Sequence, residues 1–187
     1  MNFFTEIKVF ISAFLKDHRT VGSVVGSSSF LARKMIGESS FNDARSIVEL
    51  GPGLGGITKE ILGAMHPDAT LTIVEINPIF CRELKKQFND ARITVLNISA
   101  NEMSRYISQP VDYLISGIPL ANKKSVEQNE LLTEIRKILA PTGVYVQFQY
   151  SLLSLGNLKK HFPSISLKFT PLNFPPAVIY ICHGWKN

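Results

Sequence analysis

Five short, continuously apolar runs alternate with helix-like segments in the middle of this chain. The runs are Ser46–Leu50, Leu71–Ile76, Ile93–Leu96, Val111–Ile118 and Val144–Tyr150. Uninterrupted apolar runs of this length are typical of parallel strands that are buried on both faces. Apolar residues recur at helical spacing in the segments between them, which are Ile57–Met65, Pro78–Phe88, Ala100–Ile107 and Ser125–Leu139. Strand alternating with helix predicts a doubly wound α/β sheet.

The remainder of the chain adds one helix and two strands. Residues Leu152–Phe162 have helical spacing, and β-rich runs follow at Ile165–Phe169 and Ala177–His183. These two runs must pair antiparallel, because a parallel return needs a crossover of about a dozen residues or more. We therefore expect a seven-stranded sheet that is mostly parallel and has an antiparallel C-terminal strand.

Two helices are expected before the sheet. Residues 3–15 place phenylalanines on one face and polar side chains on the other, with Lys8 and Lys16 beside the apolar face. This face could lie in a membrane interface or pack on the sheet. A second helix, Phe30–Ile36, follows a run of serines, any of which could cap it.

Length and composition indicate one compact folded domain. The chain has 187 residues, of which 45% are hydrophobic and 19% charged. Its two cysteines, Cys81 and Cys182, fit neither a disulfide framework nor a zinc motif, so no metal is expected. No apolar stretch near the start could span a bilayer, which predicts a cytoplasmic protein. We take residues 1–43 as an N-terminal helical segment, serving as membrane contact or lid, and 44–187 as the main domain.

Positive charge is concentrated at the C-terminal end. The net charge is +5, and the part of the chain from residue 135 onward contains no acidic residue. Its cations are Arg136, Lys137, Lys159, Lys160, Lys168 and Lys186. Such a block suggests a phosphate-bearing partner, either nucleic acid or an anionic membrane surface. A solvated basic face would give the same pattern.

A glycine-rich segment directly follows the first strand and opens a helix. It matches two patterns. Gly51, Gly53 and Gly56 fit the G-x-G-x-x-G spacing of dinucleotide-binding proteins. Glu49, Gly51, Gly53 and Gly55 fit the E-x-G-x-G-x-G pattern of S-adenosylmethionine (SAM) methyltransferases.

Three observations favour the second pattern. The Glu49 carboxylate would attract the ammonium and sulfonium of SAM and repel a pyrophosphate, although it could also be a salt-bridge partner. Pro52 removes a backbone N–H that would bind phosphate. The chain also has no room for the second substrate domain of a dehydrogenase. Glu75, which ends the second strand, can accept hydrogen bonds from ribose hydroxyls, unless it is a surface carboxylate.

These motifs resemble those of class I (Rossmann-like) SAM-dependent methyltransferases over about residues 44–150. Within that group the sequence is similar to the ribosomal RNA adenine dimethylases and to the bacterial phospholipid N-methyltransferases. Base-methylating enzymes carry Asn-x-Pro-Tyr after the fourth strand. This chain has Gly117-Ile118-Pro119-Leu120 there, and with Ser116 the segment is close to the Ser-Gly-Leu-Pro-Leu of the phospholipid enzymes. Residues 20–28 and 172–177 resemble further segments of those enzymes.

The resemblance implies SAM as cofactor, S-adenosylhomocysteine as product, and a set of site residues. The implied catalytic residues are Ser116, Gly117, Pro119 and Tyr150. The implied cofactor-binding residues are Glu49, Gly51, Gly53, Gly55, Glu75, Ile76, Ile98, Ser99 and Ser116. The implied substrate-binding residues are Ser28, Leu120, Asn173 and Phe174.

Two parts of this assignment have alternatives. The family usually has an Asp after the third strand that contacts adenine, but this chain reads Asn97-Ile98-Ser99-Ala100. Adenine would then be held by the backbone, by Ser99, or between Ile76 and Ile98. Tyr150 and Phe174 would form an aromatic wall for a quaternary ammonium product, or else pack in the core.

The sequence therefore predicts a SAM-dependent N-methyltransferase that acts on the amine head group of a phospholipid, of the phosphatidylethanolamine type. Its expected place is the cytoplasm, peripheral on the inner face of the cytoplasmic membrane. An RNA adenine N-methyltransferase is the disfavoured enzyme alternative. A SAM- or lipid-binding protein without turnover is the alternative from another class. The sequence makes no prediction about oligomeric state.

Deleting residues 1–16 should release the protein from anionic vesicles and leave its affinity for SAM nearly unchanged. Before deletion, salt should weaken vesicle binding, because each lysine near an anionic surface contributes about 1 kcal/mol. Binding should persist at high salt, because buried phenylalanines add about 25 cal/mol per Å². Vesicle sedimentation measures both effects. An intact chain that does not sediment with vesicles at low salt would contradict the lipid prediction.

Overall fold

A computed structural model describes residues 25–171 and 176–185. The strands are β1 (Ser46–Leu50), β2 (Thr70–Val74), β3 (Ile93–Leu96), β4 (Val111–Ser116), β5 (Leu139–Gln149), β6 (Ser164–Thr170) and β7 (Ala177–His183). The α-helices are α1 (Val25–Met35), α2 (Ser39–Asp43), α3 (Gly56–Ala64), α4 (Pro78–Gln87), α5 (Ser125–Ile138) and α6 (Leu155–His161). Two short 3-10 helices cover Ala100–Arg105 and Leu120–Asn122.

The strands form one seven-stranded sheet in the order β3-β2-β1-β4-β5-β7-β6. Strands β1 to β5 pair in parallel, and β7 runs antiparallel between β5 and β6. The predicted doubly wound, mostly parallel sheet with an antiparallel C-terminal strand is confirmed. The strand order reverses direction between β1 and β4. In sheets of this kind a ligand binds at such a switch point, beyond the carboxyl ends of the strands.

Helices cover both faces of the sheet. Adjacent residues of a buried strand point to opposite faces, so each strand contributes side chains to both core layers. One core layer joins α1, α3 and α4 to the sheet; its members include Met35, Ile47, Ile61, Ile73, Leu84 and Ile115. The opposite layer joins α5, α6 and the first 3-10 helix to the sheet; its members include Val48, Met103, Leu114, Leu131, Tyr145 and Leu158. Burial on both faces explains why the strands are continuous apolar runs.

The N-terminal part of the described chain packs on the sheet. Helix α1 begins at Val25, earlier than the predicted Phe30, so the serine run lies inside the helix and the prediction that it caps the helix is wrong. The buried Tyr113 hydroxyl donates to the Met35 carbonyl at 2.7 Å, and the Phe41 ring meets the Tyr113 ring edge-on at 5.1 Å. The predicted helix over residues 3–15 lies outside the described residues.

Four predicted elements need correction. Strand β5 begins at Leu139, and the segment predicted to separate it from the preceding helix is a bulge within it: Leu139 pairs with Val111, and Val144 pairs with Tyr113. The segment predicted as a helix after β3 is a 3-10 helix. Strands β2 and β4 end before Glu75 and Gly117, which places both residues in turns at the carboxyl edge of the sheet.

Candidate active site

The glycine-rich turn after β1 has an alternating backbone conformation. Gly51, Gly53 and Gly55 have φ values of 65°, 59° and 83°, whereas Gly56 is the first residue of α3. Within the described residues, positive φ occurs only at glycines. L-residues with a side chain rarely adopt this conformation. The backbone therefore requires glycine at every second position, as in the G-x-G-x-G pattern, and not at the position that completes G-x-G-x-x-G.

Two of these glycines differ in their surroundings. A Cβ on Gly55 would lie 2.5 Å from the Phe88 ring, so this position permits the turn to pack against the end of α4. A Cβ on Gly53 would meet nothing within 4 Å, so this position faces open space. The surface of the turn at Gly53 is thus accessible to a ligand.

Glu49 is a fully buried carboxylate near the end of β1. Its Oε2 accepts a hydrogen bond from the Thr58 hydroxyl at 2.6 Å, and its Oε1 is buried without a partner. Burial raises the pKa of Glu49 to about 7; the Thr58 hydrogen bond opposes that shift and the charge of Glu75 adds to it. Within the described residues no lysine or arginine pairs with Glu49, so the salt-bridge alternative finds no partner there. The orphaned oxygen fits a ligand that carries a cationic group.

Glu75 lies in the turn after β2, one strand away from Glu49. The residue is only 7% exposed, and its Oε1 accepts the Asn77 N–H at 2.7 Å. It is therefore held in place rather than projecting as a surface carboxylate. Acceptor oxygens in this position fit the two hydroxyls of a ribose.

Asn97 was missed as a site residue by sequence reasoning. Its Nδ2 donates to the carbonyls of Glu75 and Ile76, both at 3.0 Å, and so joins the ends of β2 and β3. The signal was present, because Asn97 is a polar residue directly after the apolar run of β3. Its role, however, depends on a neighbour 22 positions away along the chain.

The residues expected at the adenine lie around this edge. Ile76 is 71% exposed, and Ile98 and Ser99 are half-buried. The Ser99 hydroxyl accepts the Asn101 N–H at 3.2 Å and caps the first 3-10 helix. An exposed isoleucine beside Glu75 suits an aromatic base. The assignment of Ile76, Ile98 and Ser99 to adenine binding stays a prediction.

The turn after β4, which we call the 117–120 loop, touches the glycine-rich turn. The Gly117 N–H donates to the Leu50 carbonyl at 2.8 Å, and a Cβ on Gly117 would lie 2.6 Å from the Gly51 carbonyl oxygen. Buried Ser116 accepts the Ile118 N–H at 3.3 Å. The close contact between Gly117 and the Gly51 carbonyl leaves no room for an asparagine side chain at position 117.

Two buried glutamines of β5 were also missed. The Gln147 amide nitrogen donates to the Ile118 carbonyl at 3.0 Å, and the Gln149 amide oxygen accepts the Ala121 N–H at 3.1 Å. The sequence did contain a signal for these site residues, because two glutamines occupy alternate positions in an otherwise apolar run. Their partners are about 30 positions away along the chain, so periodicity alone could not assign them.

Several predicted substrate residues are not placed at an open surface. Leu120 is fully buried in the core layer beside α5, and half-buried Tyr150 meets the Phe148 ring edge-on at 5.8 Å. The side chain of Ser28, and Asn173 and Phe174 entirely, lie outside the described residues. The assignments of all these residues, and of Pro119, stay predictions.

The basic block is partly explained by the fold. Lys137 pairs with Glu134, and Lys168 pairs with Glu38. The other described cations of the block lie in the last turns of helices, Arg136 in α5 and Lys159 and Lys160 in α6. Cations at that end complement the helix dipole. Much of the block therefore has a structural role.

The described residues show two further features of the chain. They contain no group of three or more His, Cys, Asp or Glu side chains placed to hold a metal ion. None of their helices combines the length and apolar character that a membrane span requires.

Comparisons with known proteins agree with this geometry. Residues 47–143, a little over half of the chain, match a family described as a methyltransferase domain. The chain is 30% identical, over 96% of its own length and 96% of the relative's, to the ornithine lipid N-methyltransferase of Singulisphaera acidiphila.

Solved structures show the same fold. The N-methyltransferase NodS of Bradyrhizobium japonicum in complex with S-adenosylhomocysteine is 13% identical, with a TM-score of 0.68 over 84% of this chain and 85% of that one. An rRNA methylase of Streptococcus thermophilus is 14% identical, with a TM-score of 0.61 over 83% and 95%. Enzymes with different acceptors share this architecture, so the fold alone does not identify the acceptor.

SAM affinity should depend on pH through Glu49. A cationic group binds the ionised carboxylate, so affinity should fall about tenfold per pH unit below the pKa near 7 and level off above it. Glu49→Gln, which keeps the shape but not the charge, should bind SAM more weakly at neutral pH and with a flat profile. Calorimetry between about pH 5.5 and 7.5 tests this. A wild-type affinity that is constant over this range would exclude Glu49 as the partner of the ammonium.

Glu75→Ala should weaken SAM binding by roughly 10–150-fold, because a hydrogen bond to a charged group contributes about 1.5–3 kcal/mol. Glu83→Ala is the matched control, since Glu83 is an exposed glutamate of α4 that pairs with Lys86 on the same helix. Its affinity should stay at the wild-type value. If calorimetry finds unchanged SAM affinity in folded Glu75→Ala, the ribose assignment is wrong.

Proposed function

We propose that this chain, which belongs to the methyltransferase domain family and is a SAM-dependent N-methyltransferase, methylates the aliphatic amine of a lipid head group. The observation that carries the proposal is the 30% identity to an ornithine lipid N-methyltransferase along nearly the whole of both chains. The phosphatidylethanolamine-type head group expected from the sequence and an ornithine head group both present an aliphatic amine.

The residues at the ends of β1 and β2 have the chemistry that SAM requires. The buried, unpartnered Oε1 of Glu49 would face the ammonium of the methionine part. The open side of Gly53 would let that part lie against the backbone, and Glu75 would accept the ribose hydroxyls. When bound, SAM supplies a methyl group on a positively charged sulfur. The protein can then act mainly by placing an amine in line with that methyl group.

The polar side chains that bond to the 117–120 loop are uncharged. Ser116 and Gln147 do not titrate, and burial raises the pKa of Tyr145 well above its usual value. None of these groups takes a proton from an amine near neutral pH. We therefore propose that the acceptor binds after its ammonium has lost a proton to solvent, and that the site selects the free amine by excluding water.

The same loop favours an aliphatic amine over a nucleobase. Gly117 has no side chain that could hold an exocyclic amine, and Leu120 is buried and offers no ring to stack on a flipped base. Base-methylating enzymes read a flipped base by such hydrogen bonds and stacking. An RNA adenine acceptor thus lacks its usual contacts at this loop.

Exposed apolar side chains near the carboxyl edge also support a lipid acceptor. Leu152 and Leu153, in the turn after β5, are 52% and 66% exposed, and Leu54 of the glycine-rich turn is 42% exposed. Parallel strands place these turns at one edge of the sheet, the edge where the site lies. Exposed apolar patches commonly mark contact with a membrane or another protein. We propose that this edge faces the lipid surface, with the part of residues 1–43 that precedes α1 as a second contact or lid.

Incubation with methyl-labelled SAM should transfer label to lipid and not to RNA. Two sets of phosphatidylglycerol vesicles would be prepared, one with added phosphatidylethanolamine and one with an added ornithine lipid. Vesicles of phosphatidylglycerol alone, which has no amine, are the control. Label should appear only with the amine-bearing lipids, and Glu75→Ala should reduce it at limiting SAM. Label in RNA would identify the adenine alternative. SAM binding without label in any acceptor would indicate a binding protein without turnover.

A further inference from the structure

Gln147 and Gln149 hold the 117–120 loop from the neighbouring strand β5. We propose that these two glutamines are positioning residues that fix the loop for methyl transfer, an inference that rests on the proposed function. Neither residue was assigned a role by the sequence motifs, and neither needs to touch the cofactor or the acceptor to act in this way.

The Gln147 amide has one fixed orientation. Its Oε1 accepts the Tyr145 hydroxyl at 2.7 Å, so its Nε2 must face the other way. That nitrogen donates to the Ile118 carbonyl at 3.0 Å and to the Phe148 carbonyl at 2.7 Å. The side chain is fully buried, which removes competition from water. Gln147 therefore ties the middle of the loop to the backbone of β5.

Gln149 contacts backbone groups on both sides of the Pro119-Leu120 pair, one within the loop and one directly after it. Its Oε1 accepts the Ala121 N–H at 3.1 Å, and its Nε2 lies 3.5 Å from the Ile118 carbonyl oxygen. Residues 147 and 149 point to the same face of β5, because side chains alternate along a strand. Two amides from one strand face thus reach Ile118 within the loop and Ala121, the residue directly after it.

A packing role alone would not require glutamine at either position. An apolar side chain would fill the same space in a strand that is otherwise apolar, whereas a buried amide without partners costs about 1–3 kcal/mol. Gln147 instead bonds to the loop at Ile118, and Gln149 bonds to Ala121 directly after the loop. The Ile118 side chain would also lie 3.1 Å from a Cβ placed on Gly51, so the loop is in direct contact with the glycine-rich turn. A shift of this loop would therefore change the position of the acceptor amine relative to the methyl group of the cofactor.

The test compares Gln147→Met and Gln149→Met with Gln128→Met as the matched control. Methionine keeps the length of glutamine and removes both polar atoms. Gln128 is also buried, and its Nε2 donates to the Lys123 carbonyl at the same 3.0 Å, but it holds a residue outside the loop. For each variant we would measure kcat and KM for the amine-bearing lipid in vesicles, SAM affinity by calorimetry, and the melting temperature.

Gln147→Met should lower kcat by roughly 10–100-fold with SAM affinity within about twofold of wild type, because a displacement of about 1 Å can cost 100-fold in rate. Gln149→Met should lower kcat in the same direction. Gln128→Met should lower the melting temperature by about as much as the other two variants, because each variant loses similar hydrogen bonds. Its kcat should stay within about threefold of the wild-type value.

Three outcomes would overturn the inference. The first is an unchanged kcat in folded Gln147→Met and Gln149→Met. The second is a kcat loss that follows melting temperature equally in all three variants, or failure of both β5 variants to fold, since the amides would then only stabilise the sheet. The third is a wild-type chain that methylates neither lipid, which overturns the proposed function and this inference with it; the first two leave the proposed function intact.

Discussion

The site depends on the close contact of two backbone turns with no side chain between them. The turn after β4 approaches the turn after β1 so closely that a Cβ on Gly117 would lie 2.6 Å from the Gly51 carbonyl oxygen. Observed Cβ atoms do not come that near to a carbonyl, so this arrangement requires glycine at position 117. On the other side, Gly51 has a φ of 65°, which also requires glycine. The contact brings the proposed acceptor loop to the proposed cofactor turn, at the point where the strand order reverses.

Features that are set by local chemistry could be predicted from the sequence. Strands are marked by apolar or β-rich runs, so all seven were found. Both ends of β1, β3 and β7 were predicted correctly, and the other four strands have errors at one or both ends. Positive φ requires glycine, so the turn at Gly51, Gly53 and Gly55 was identified, and its conformation selects between the two patterns it matches. Glu75 was selected because it is a carboxylate at the end of a buried strand. Its burial removes the surface alternative, and its assignment to the ribose stays a prediction.

Features that depend on distant neighbours could not be predicted in this way. Asn97, Gln147 and Gln149 act through backbone groups 22 to 31 positions away, and nothing near them in the sequence indicates those partners. The bulge at the start of β5 depends on pairing with Val111. The serine run was assigned to a cap from local preference, but the helix extends through it because tertiary packing outweighs such preferences.

The two acidic residues of the site also link cofactor binding to stability. A carboxylic acid whose pKa is raised in the folded state binds a proton more tightly there than in the unfolded chain, so Glu49 reduces stability as the pH rises from about 4.5 to about 7, and by a constant amount above that. The nearby charge of Glu75 adds to this cost, whereas the Thr58 hydroxyl reduces it. A bound cation would favour the ionised form of Glu49 and offset the cost. The unpartnered oxygen that makes the free protein less stable at neutral pH is thus the same feature that would give a cationic cofactor its affinity.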